Sequence, residues 1–358
     1  MKILLKICFI LALCSCANML TPTGGKKDIE APKIISISKE LNEYNELEKI
    51  YLSFDEYIAF NNWDKNFYIS PLIENNILKK ITNKQLELHI KDKLQPNTTY
   101  LLSLDKCIKD INEGNILENL QFIFSTSENI DTLKLNGQLK DAYSLDNIKN
   151  AWVMLFEENR ADSIIFKETP NYITKTNDKG LFNLPNLNDK NYKLVSLTDY
   201  DLLYNTNDNI GFHDNIINAT TDSFVILYSF NPIINIDSGL INSKSTLDNV
   251  VMSDSNITNK DIINGTLIIN TKAKKSSIFQ LLLENIVVYE FSFLEEPYVL
   301  KNIAPGKYKL KYIFDNNNNG KWDTGNWEEK KQPEKIINYS NDIIIRSNWD
   351  LKLDWELY

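Results

Sequence analysis

The residues best suited to chemistry lie in one polar segment near the end of the chain. From Asp315 to Asp323 the sequence reads Asp-Asn-Asn-Asn-Asn-Gly-Lys-Trp-Asp, so side-chain oxygens recur at positions 1, 3, 5 and 9, with glycine at position 6. Oxygen donors at alternate positions can converge on one hard cation, and the glycine permits the sharp turn that this requires. The candidate metal ligands are the side chains of Asp315, Asn317, Asn319 and Asp323 and the main-chain carbonyl of Lys321.

This is the spacing of an EF-hand-like calcium loop. Position 12, normally a bidentate glutamate, is Asn326, and Glu328 comes two residues late. The missing carboxylate reduces the charge of the site, so we expect a dissociation constant of about 10⁻⁴–10⁻³ M, as in extracellular modules. The alternative is an asparagine-rich hairpin that binds no ion. The corresponding segment 199–204 has leucine at position 5 and no glycine at position 6, and it is predicted to lack a site.

Four of the six tryptophans also lie in this last part of the chain. A tryptophan can stack on a sugar, hold a protein partner or fill a core. Trp349 and Trp355 share one face of an alternating segment, which predicts core positions. Trp322 and Trp327 flank the polar loop and are the candidate contact residues for a glycan or another ligand.

The sequence contains none of the common catalytic motifs: no Gly-x-Ser-x-Gly, no His-Glu-x-x-His, no Walker A and no paired cysteines. His89 lies on the polar face of an alternating run, and His213 precedes Asp214 without a nucleophile nearby in sequence. Cys107 has no histidine close by and is predicted to be a small strand-end residue. We therefore predict no enzyme. The remaining enzymatic alternative is a deep pocket built from dispersed carboxylates.

The N-terminus has the layout of a secretory signal. Lys2 and Lys6 precede a short apolar run, residues 7–13, that is well below the roughly 20 residues needed to cross a bilayer. Residues 13–16 read Leu-Cys-Ser-Cys and resemble the lipobox of bacterial lipoproteins, which implies cleavage after residue 15 and lipidation of Cys16. A plain signal peptide cleaved elsewhere is the alternative. Residues 16–31 are predicted to be a flexible tether.

Charge and cysteine content narrow the possible partners. The net charge of −9 argues against a nucleic-acid partner. With Cys16 lipidated, Cys107 is the sole remaining thiol, so no intramolecular disulfide is expected.

Short alternating runs broken by asparagine, glycine and proline predict an all-β protein made of serial antiparallel sandwiches. Residues 32–127 contain Ile-Tyr-Leu-Ser-Phe-Asp-Glu at 50–56, Leu-Gln-Pro-Asn-Thr-Thr-Tyr at 94–100 and Phe-Ile-Phe-Ser-Thr at 122–126. In this order they resemble the SbsA-type bacterial Ig-like domain.

Residues 133–228 contain Thr-Asn-Asp-Lys-Gly-Leu-Phe-Asn-Leu at 176–184 and resemble the carboxypeptidase regulatory-like, or transthyretin-like, sandwich. That resemblance implies an accessory module without peptidase activity. Residues 262–358 repeat the theme, because Leu300–Leu310 matches Leu184–Leu194, and they are predicted to be a related C-terminal sandwich. Residues 229–261 are interpreted as a connector.

The order of lipobox, tether, Ig-like domain and transthyretin-like modules resembles a group of envelope lipoproteins from Bacteroidota. The resemblance implies a non-catalytic protein, lipid-anchored in the outer membrane, that binds or scaffolds an envelope protein. The alternative is a surface lipoprotein that captures a glycan or another ligand. Whether the domains face the periplasm or the outside is left open.

Overall fold

The computed structural model describes residues 27–41, 47–73, 77–199, 201–233, 264–271, 276–293 and 298–356. The predicted signal segment, Cys16 and most of the tether lie outside the described residues, as does the connector after residue 233. The prediction of an all-β protein is confirmed. Within the described ranges, no helix has the length and apolarity needed to cross a membrane.

The chain divides into two compact units. The first comprises Met1–Trp63, Leu78–His89 and Asp105–Asn119, and the second comprises Asp64–Ile77, Ile90–Leu104 and Leu120–Tyr358. The strands up to residue 125 are β1 Ile34–Leu41, β2 Leu47–Phe54, β3 Ile58–Phe60, β4 Tyr68–Ser70, β5 Leu78–Thr82, β6 Gln85–His89, β7 Thr99–Ser103, β8 Ile108–Asp110, β9 Ile116–Leu117 and β10 Gln121–Ser125, with one helical turn, α1 Trp63–Asn66.

The first unit contains one sheet of order β1-β2-β6-β5 and one of order β3-β8-β9. Alternation predicts which side chains of β2 and β6 are buried. Ile50, Leu52 and Phe54 of β2, and Leu86 and Leu88 of β6, are all essentially inaccessible to solvent. The second unit begins with the sheet β10-β7-β4.

A middle sandwich, residues 133–229, follows in the second unit. Its strands are β11 Leu133–Asp141, β12 Trp152–Glu157, β13 Tyr172–Lys175, β14 Leu181–Leu187, β15 Asn191–Leu197, β16 Ile210–Phe212, β17 Ile217–Asn218 and β18 Phe224–Ser229, with a 3-10 helix at Asp162–Phe166. One sheet has the order β14-β11-β18, in which β18 is parallel to β11. The other has the order β13-β12-β15-β16, with β17 also paired to β15.

The C-terminal sandwich, residues 265–354, repeats this topology. Its strands are β19 Gly265–Asn270, β20 Ser277–Leu283, β21 Ile286–Phe293, β22 Tyr298–Ile303, β23 Gly306–Ile313, β24 Ile336–Asn338, β25 Ile343–Ile345 and β26 Asp350–Asp354. The sheets have the orders β22-β19-β26 and β21-β20-β23-β24, with β25 also paired to β23 and β26 parallel to β19. Each strand of the middle sandwich thus has a counterpart eight strands later.

The two sandwiches share a hydrophobic core. Val153 and Leu155 of β12 face the interior of the middle sandwich. Met154 and Phe156, on the opposite face of β12, belong to a cluster that includes Ile313 of β23. A continuous apolar run is typical of a strand that is covered on both faces, and the sequence of β12 has this form.

Candidate functional site

The polar loop predicted to bind calcium lies between β23 and β24 and is folded around Asp315. This carboxylate is 4% exposed. Its Oδ2 atom accepts hydrogen bonds from the Ser276 hydroxyl and the Gly320 main-chain nitrogen, both at 2.9 Å, and its Oδ1 atom accepts one from the Asn319 nitrogen at 3.1 Å. Gly320 has φ = +73°, a backbone conformation that glycine adopts without strain. The loop is therefore held by the carboxylate predicted to be its first ligand.

The structure brings the other predicted side-chain ligands together. The Asn319 amide nitrogen lies 3.1 Å from both carboxylate oxygens of Asp323, and the Asn317 amide nitrogen also donates to Asp323. The Asn319 amide oxygen instead accepts a hydrogen bond from the Lys321 main-chain nitrogen at 2.8 Å. A bound cation would need both amides to turn so that their oxygens face Asp323.

Glu334 is a further carboxylate at this loop that the sequence analysis did not identify. It is 5% exposed, and its two oxygens accept hydrogen bonds from the main-chain nitrogens of Asn316 at 2.7 Å and Asp323 at 3.2 Å. Burial raises the pKa of Glu334; these hydrogen bonds oppose the rise, and the negative charges of Asp323 and Asp315 add to it. Glu334 follows Asp323 by eleven residues, outside the loop spacing, so the motif could not indicate it.

The loop position usually held by a bidentate glutamate has another role here. The Asn326 amide oxygen accepts a hydrogen bond from the Glu329 nitrogen at 3.1 Å, and its main chain pairs with Lys331. Among the described residues, no three acidic, histidine or cysteine side chains form a group that could hold a metal ion. Calcium binding therefore stays a prediction.

The two candidate contact aromatics are buried, which contradicts the expectation that they contact a ligand. Trp322 is 9% exposed and Trp327 is 5% exposed, and both belong to the shared core. The Trp322 indole nitrogen donates to the Glu334 carbonyl oxygen at 3.0 Å, and its ring meets Tyr143 edge to face at 5.1 Å. Trp327 meets Phe212 in the same way at 5.2 Å. These indoles fill space between the sandwiches.

The two tryptophans predicted to lie in the core differ in outcome. Trp355 is 8% exposed and packs edge to face against Tyr339, as predicted. Trp349 is 59% exposed, so its core assignment is wrong. It lies one residue before β26, where its carbonyl oxygen accepts a hydrogen bond from Thr266, and its side chain is not covered by the sheet.

The histidines and Cys107 do not form a catalytic arrangement. His89 lies at the surface, 3.3 Å from Glu48. The His213 Nδ1 atom lies 3.0 Å from the Asn215 carbonyl oxygen, while Asp214 accepts a hydrogen bond from Gln332 at 2.7 Å. Cys107 is fully buried.

A cavity of about 320 Å³ lies in the second unit. Its lining includes two acidic residues, Asp214 and Glu334, which is the pairing that the dispersed-carboxylate alternative requires. However, Glu334 uses both oxygens to hold the polar loop, and Asp214 accepts a hydrogen bond from Gln332. The cavity therefore offers a concave surface beside β18, where Ile226 and Tyr228 line it.

Comparisons with solved structures give distant matches. The Bacillus anthracis TIE protein matches at 12% identity and a TM-score of 0.19, over 94% of this chain and 59% of that protein. A streptococcal ancillary pilin matches at 9% identity and a TM-score of 0.17, over 78% and 79%. The S-layer protein rSbsC(31-844) matches at 12% identity and a TM-score of 0.20, over 89% and 41%. At these scores the likenesses carry no argument about function.

No curated protein matches the chain. A family model does match its N-terminal part, over residues 28–126, and that family is described as the bacterial Ig-like domain. The match covers β1 to β10 and agrees with the resemblance found in the sequence motifs. Residues 28–126 of this chain are therefore similar to the bacterial Ig-like domain family.

Proposed function

We propose that this protein is a non-catalytic module of the bacterial cell envelope that binds or scaffolds other envelope components, anchored through lipid on Cys16. The main support is that the carboxylates and tryptophans best suited to binding a ligand have structural roles instead. Asp315 and Glu334 hold a loop, and Trp322 and Trp327 fill a core. Residues employed in this way stabilise a scaffold. Both indoles are buried, so they do not offer a surface on which a glycan could stack.

The Ig-like domain supports the same proposal. It is joined in sequence to two sandwiches of identical strand order. Serial sandwiches present surface strands and loops on rigid sheets, which suits binding and scaffolding. The lipobox-like segment before Cys16 supports a membrane anchor, since several acyl chains hold a protein at a membrane durably.

Metabolic labelling with an alkyne fatty acid tests the anchor. We expect the unchanged protein to take up label and Cys16→Ser to lose it. Cys107→Ser is the matched control and should keep the label, because that thiol is buried in the folded chain. Label that survives Cys16→Ser would overturn lipidation at this residue.

Protease shaving of intact cells, with disrupted cells as the control, tests the location. Digestion on intact cells would favour a role at the outer surface. Protection until lysis would favour scaffolding in the periplasm. Recovery of the protein in the soluble cytoplasmic fraction would overturn the proposed envelope location.

Calcium binding by the polar loop is a second candidate function. Repulsion from Asp315 and Asp323 adds to the rise in the pKa of Glu334, although these three side chains do not form a group that could hold a metal ion in the arrangement described. A divalent cation would relieve that repulsion. Calorimetric titration of the full chain should give a dissociation constant of about 10⁻⁴–10⁻³ M. Asp323→Asn should abolish the heat and Asp201→Asn should not; no heat and no thermal shift in millimolar calcium would reject this candidate.

A further inference from the structure

The outer face of the sheet β14-β11-β18 carries a row of large exposed side chains along β18. Phe224 is 54% exposed, Ile226 44% and Tyr228 38%, while the alternate residues Val225 and Leu227 are buried. The strand separates the Cα atoms of Phe224 and Tyr228 by about 13 Å. Soluble monomers rarely expose such a contiguous apolar row without a function for it.

A row of polar side chains on β11 lies directly beside the apolar row. In the parallel pairing of β11 with β18, the partners of the three exposed residues are, in order, Asn136, Gln138 and Lys140. Partners in adjacent strands project to the same face of a sheet, with Cα atoms about 5 Å apart. On the third strand, the Asn183 amide nitrogen donates to the Asn136 Oδ1 atom at 2.7 Å. The face therefore presents amides, which donate and accept hydrogen bonds, and an ammonium group.

A cavity adjoins this face at one end of the apolar row. Its volume is about 320 Å³, and Ile226 and Tyr228 line it together with Asp214 and Gln332. The Gln332 amide nitrogen donates to the Asp214 Oδ1 atom at 2.7 Å, which leaves the second carboxylate oxygen and the amide oxygen as acceptors. Small-molecule sites combine an apolar surface with a few polar groups in this way.

The C-terminal sandwich shows that the fold does not require such a face. The parallel registers of the two sandwiches make β26 equivalent to β18 position by position. The three outward positions of β26 are Asp350, Lys352 and Asp354. The carboxylates there would repel an anion, so β26 is an internal comparison for β18.

The residues of the β18 face match a ligand with C–H surfaces, hydroxyl groups and a negative charge. Aromatic rings have an electronegative face that attracts C–H groups. Amides and carboxylates pair with hydroxyl groups, and an ammonium group attracts an anion. The outward residues of the three strands include lysine but no acidic side chain, in a chain whose net charge is −9. Uronic acids, which are sugars with a carboxylate, have all three properties.

We propose that this face and the adjoining cavity bind an oligosaccharide that contains uronic acids. One sugar ring stacks on Tyr228 and places its carboxylate at Lys140. Its hydroxyl groups lie at the cavity, where Asp214 and Gln332 accept their hydrogen bonds. A further ring stacks on Phe224. The inference gives the proposed binding role a class of ligand and rests on that role, but it does not depend on the lipid anchor.

Calorimetric titration of the purified full chain with trisaccharides of galacturonic, mannuronic and glucuronic acid tests the inference. We expect at least one of these acids to bind. Its methyl ester, which has the same rings without the charge, should bind about fivefold more weakly. The difference between acid and ester should shrink as salt is added. Binding of none of the three acids, or equal binding of acid and ester, would overturn the inference.

Substitutions on the two rows locate the site. Tyr228→Ala should weaken binding of the acid about tenfold, because the stacked ring is lost. Lys140→Gln should weaken binding of the acid about fivefold and leave binding of the ester unchanged. The matched controls are Tyr57→Ala, at a 52% exposed tyrosine in the first unit, and Lys352→Gln on β26, and both should bind as the unchanged protein does. Thermal unfolding shows whether each variant is folded, and unchanged affinity in folded Tyr228→Ala would contradict the assignment.

The length of the ligand tests how far the site extends. Phe224→Ala should weaken binding of the trisaccharide and leave binding of the single uronic acid unchanged, because one ring occupies only the Tyr228 end. Analytical ultracentrifugation detects the other possible occupant, a second copy of the chain, and a dimer that Tyr228→Ala abolishes would overturn the assignment to a sugar. None of these outcomes affects labelling at Cys16, so failure here is distinguishable from failure of the proposed function.

Discussion

The middle and C-terminal sandwiches have the same strand order but use equivalent positions differently. Val195 of β15 is fully buried, and its counterpart in β23 is Lys311, also buried. Asp199 after β15 is half-buried, whereas its counterpart Asp315 after β23 is buried and holds a loop. The last strand is apolar on its outer face in one sandwich and charged in the other. The two sandwiches thus keep the same strand order while their loops and edge strands carry different residues.

The shared core is the feature whose loss should have the largest effect on both sandwiches. Ile313→Ala removes a fully buried side chain between them and should lower the free energy of unfolding by about 2–5 kcal/mol. Ile344→Ala, at a 56% exposed position, is the control and should change it by about 0.5 kcal/mol or less. Urea denaturation followed by fluorescence should show one shifted transition for the two sandwiches; a separate, unshifted transition would contradict a shared core.

Replacing the buried lysine should make the C-terminal sandwich more like the middle one. Burial lowers the pKa of Lys311 to about 8, while nearby Asp141 and Asp146 oppose the shift. Its ammonium group donates to the Tyr143 carbonyl at 2.6 Å and lies 3.7 Å from the centre of that ring. Lys311→Met should therefore stabilise the protein at pH 7 by about 3 kcal/mol at most. Loss of the hydrogen bond and the ring contact with Tyr143 reduces this gain.

The stabilisation by Lys311→Met should depend on pH, because Lys311 has a lower pKa in the folded state than in the unfolded state. The folded state binds fewer protons than the unfolded state between the folded pKa of about 8 and the ordinary lysine pKa of 10.5. Stability of the unchanged protein should therefore rise with pH across this window. The advantage of Lys311→Met should shrink as the pH approaches 10.5, as measured by urea denaturation at several pH values. An advantage that is constant with pH would show that Lys311 is not responsible.

The two loop aspartates should differ in their contribution to stability. Asp315→Ala removes the acceptor of three hydrogen bonds in a buried position and should cost about 1–3 kcal/mol. Asp199→Ala, at the half-buried equivalent position, should cost less. Thermal unfolding of the two variants measures the difference. Equal losses would contradict the view that the deeper burial of Asp315 makes it the more important of the two aspartates.

The smallest effect on folding is expected at the charged edge. Lys352→Ile should change the free energy of unfolding by about 0.5 kcal/mol or less, because the side chain is exposed. It removes the lysine–lysine opposition at the centre of a self-paired β26 but leaves Asp350 facing Asp354, so light scattering should show only a small increase in association. Lys352→Arg, which keeps the charge, should not associate.

Some features of this protein follow from local sequence pattern. Alternation at Ile50, Leu52 and Phe54 reports which face of a strand is buried, so the all-β class could be predicted. Loop spacing places Asp315, Asn317 and Asn319 in one turn because the turn is local, and cation binding there stays a prediction. The contact of Glu334 with the loop could not be predicted, since Glu334 lies eleven residues after Asp323, outside the spacing of the motif.

What covers each apolar face was decided only by the tertiary structure. The run at Trp152–Phe156 indicates burial on both faces, but a period of two residues carries no information about the partner. Trp322 and Trp327 flank the polar loop and are candidate contact residues by sequence, yet packing between the sandwiches buries them. Trp349 shares the alternation of β26 but lies before the strand begins, where no sheet covers it. Sequence determined the strands and the repeat, whereas the shared core arises from non-local packing.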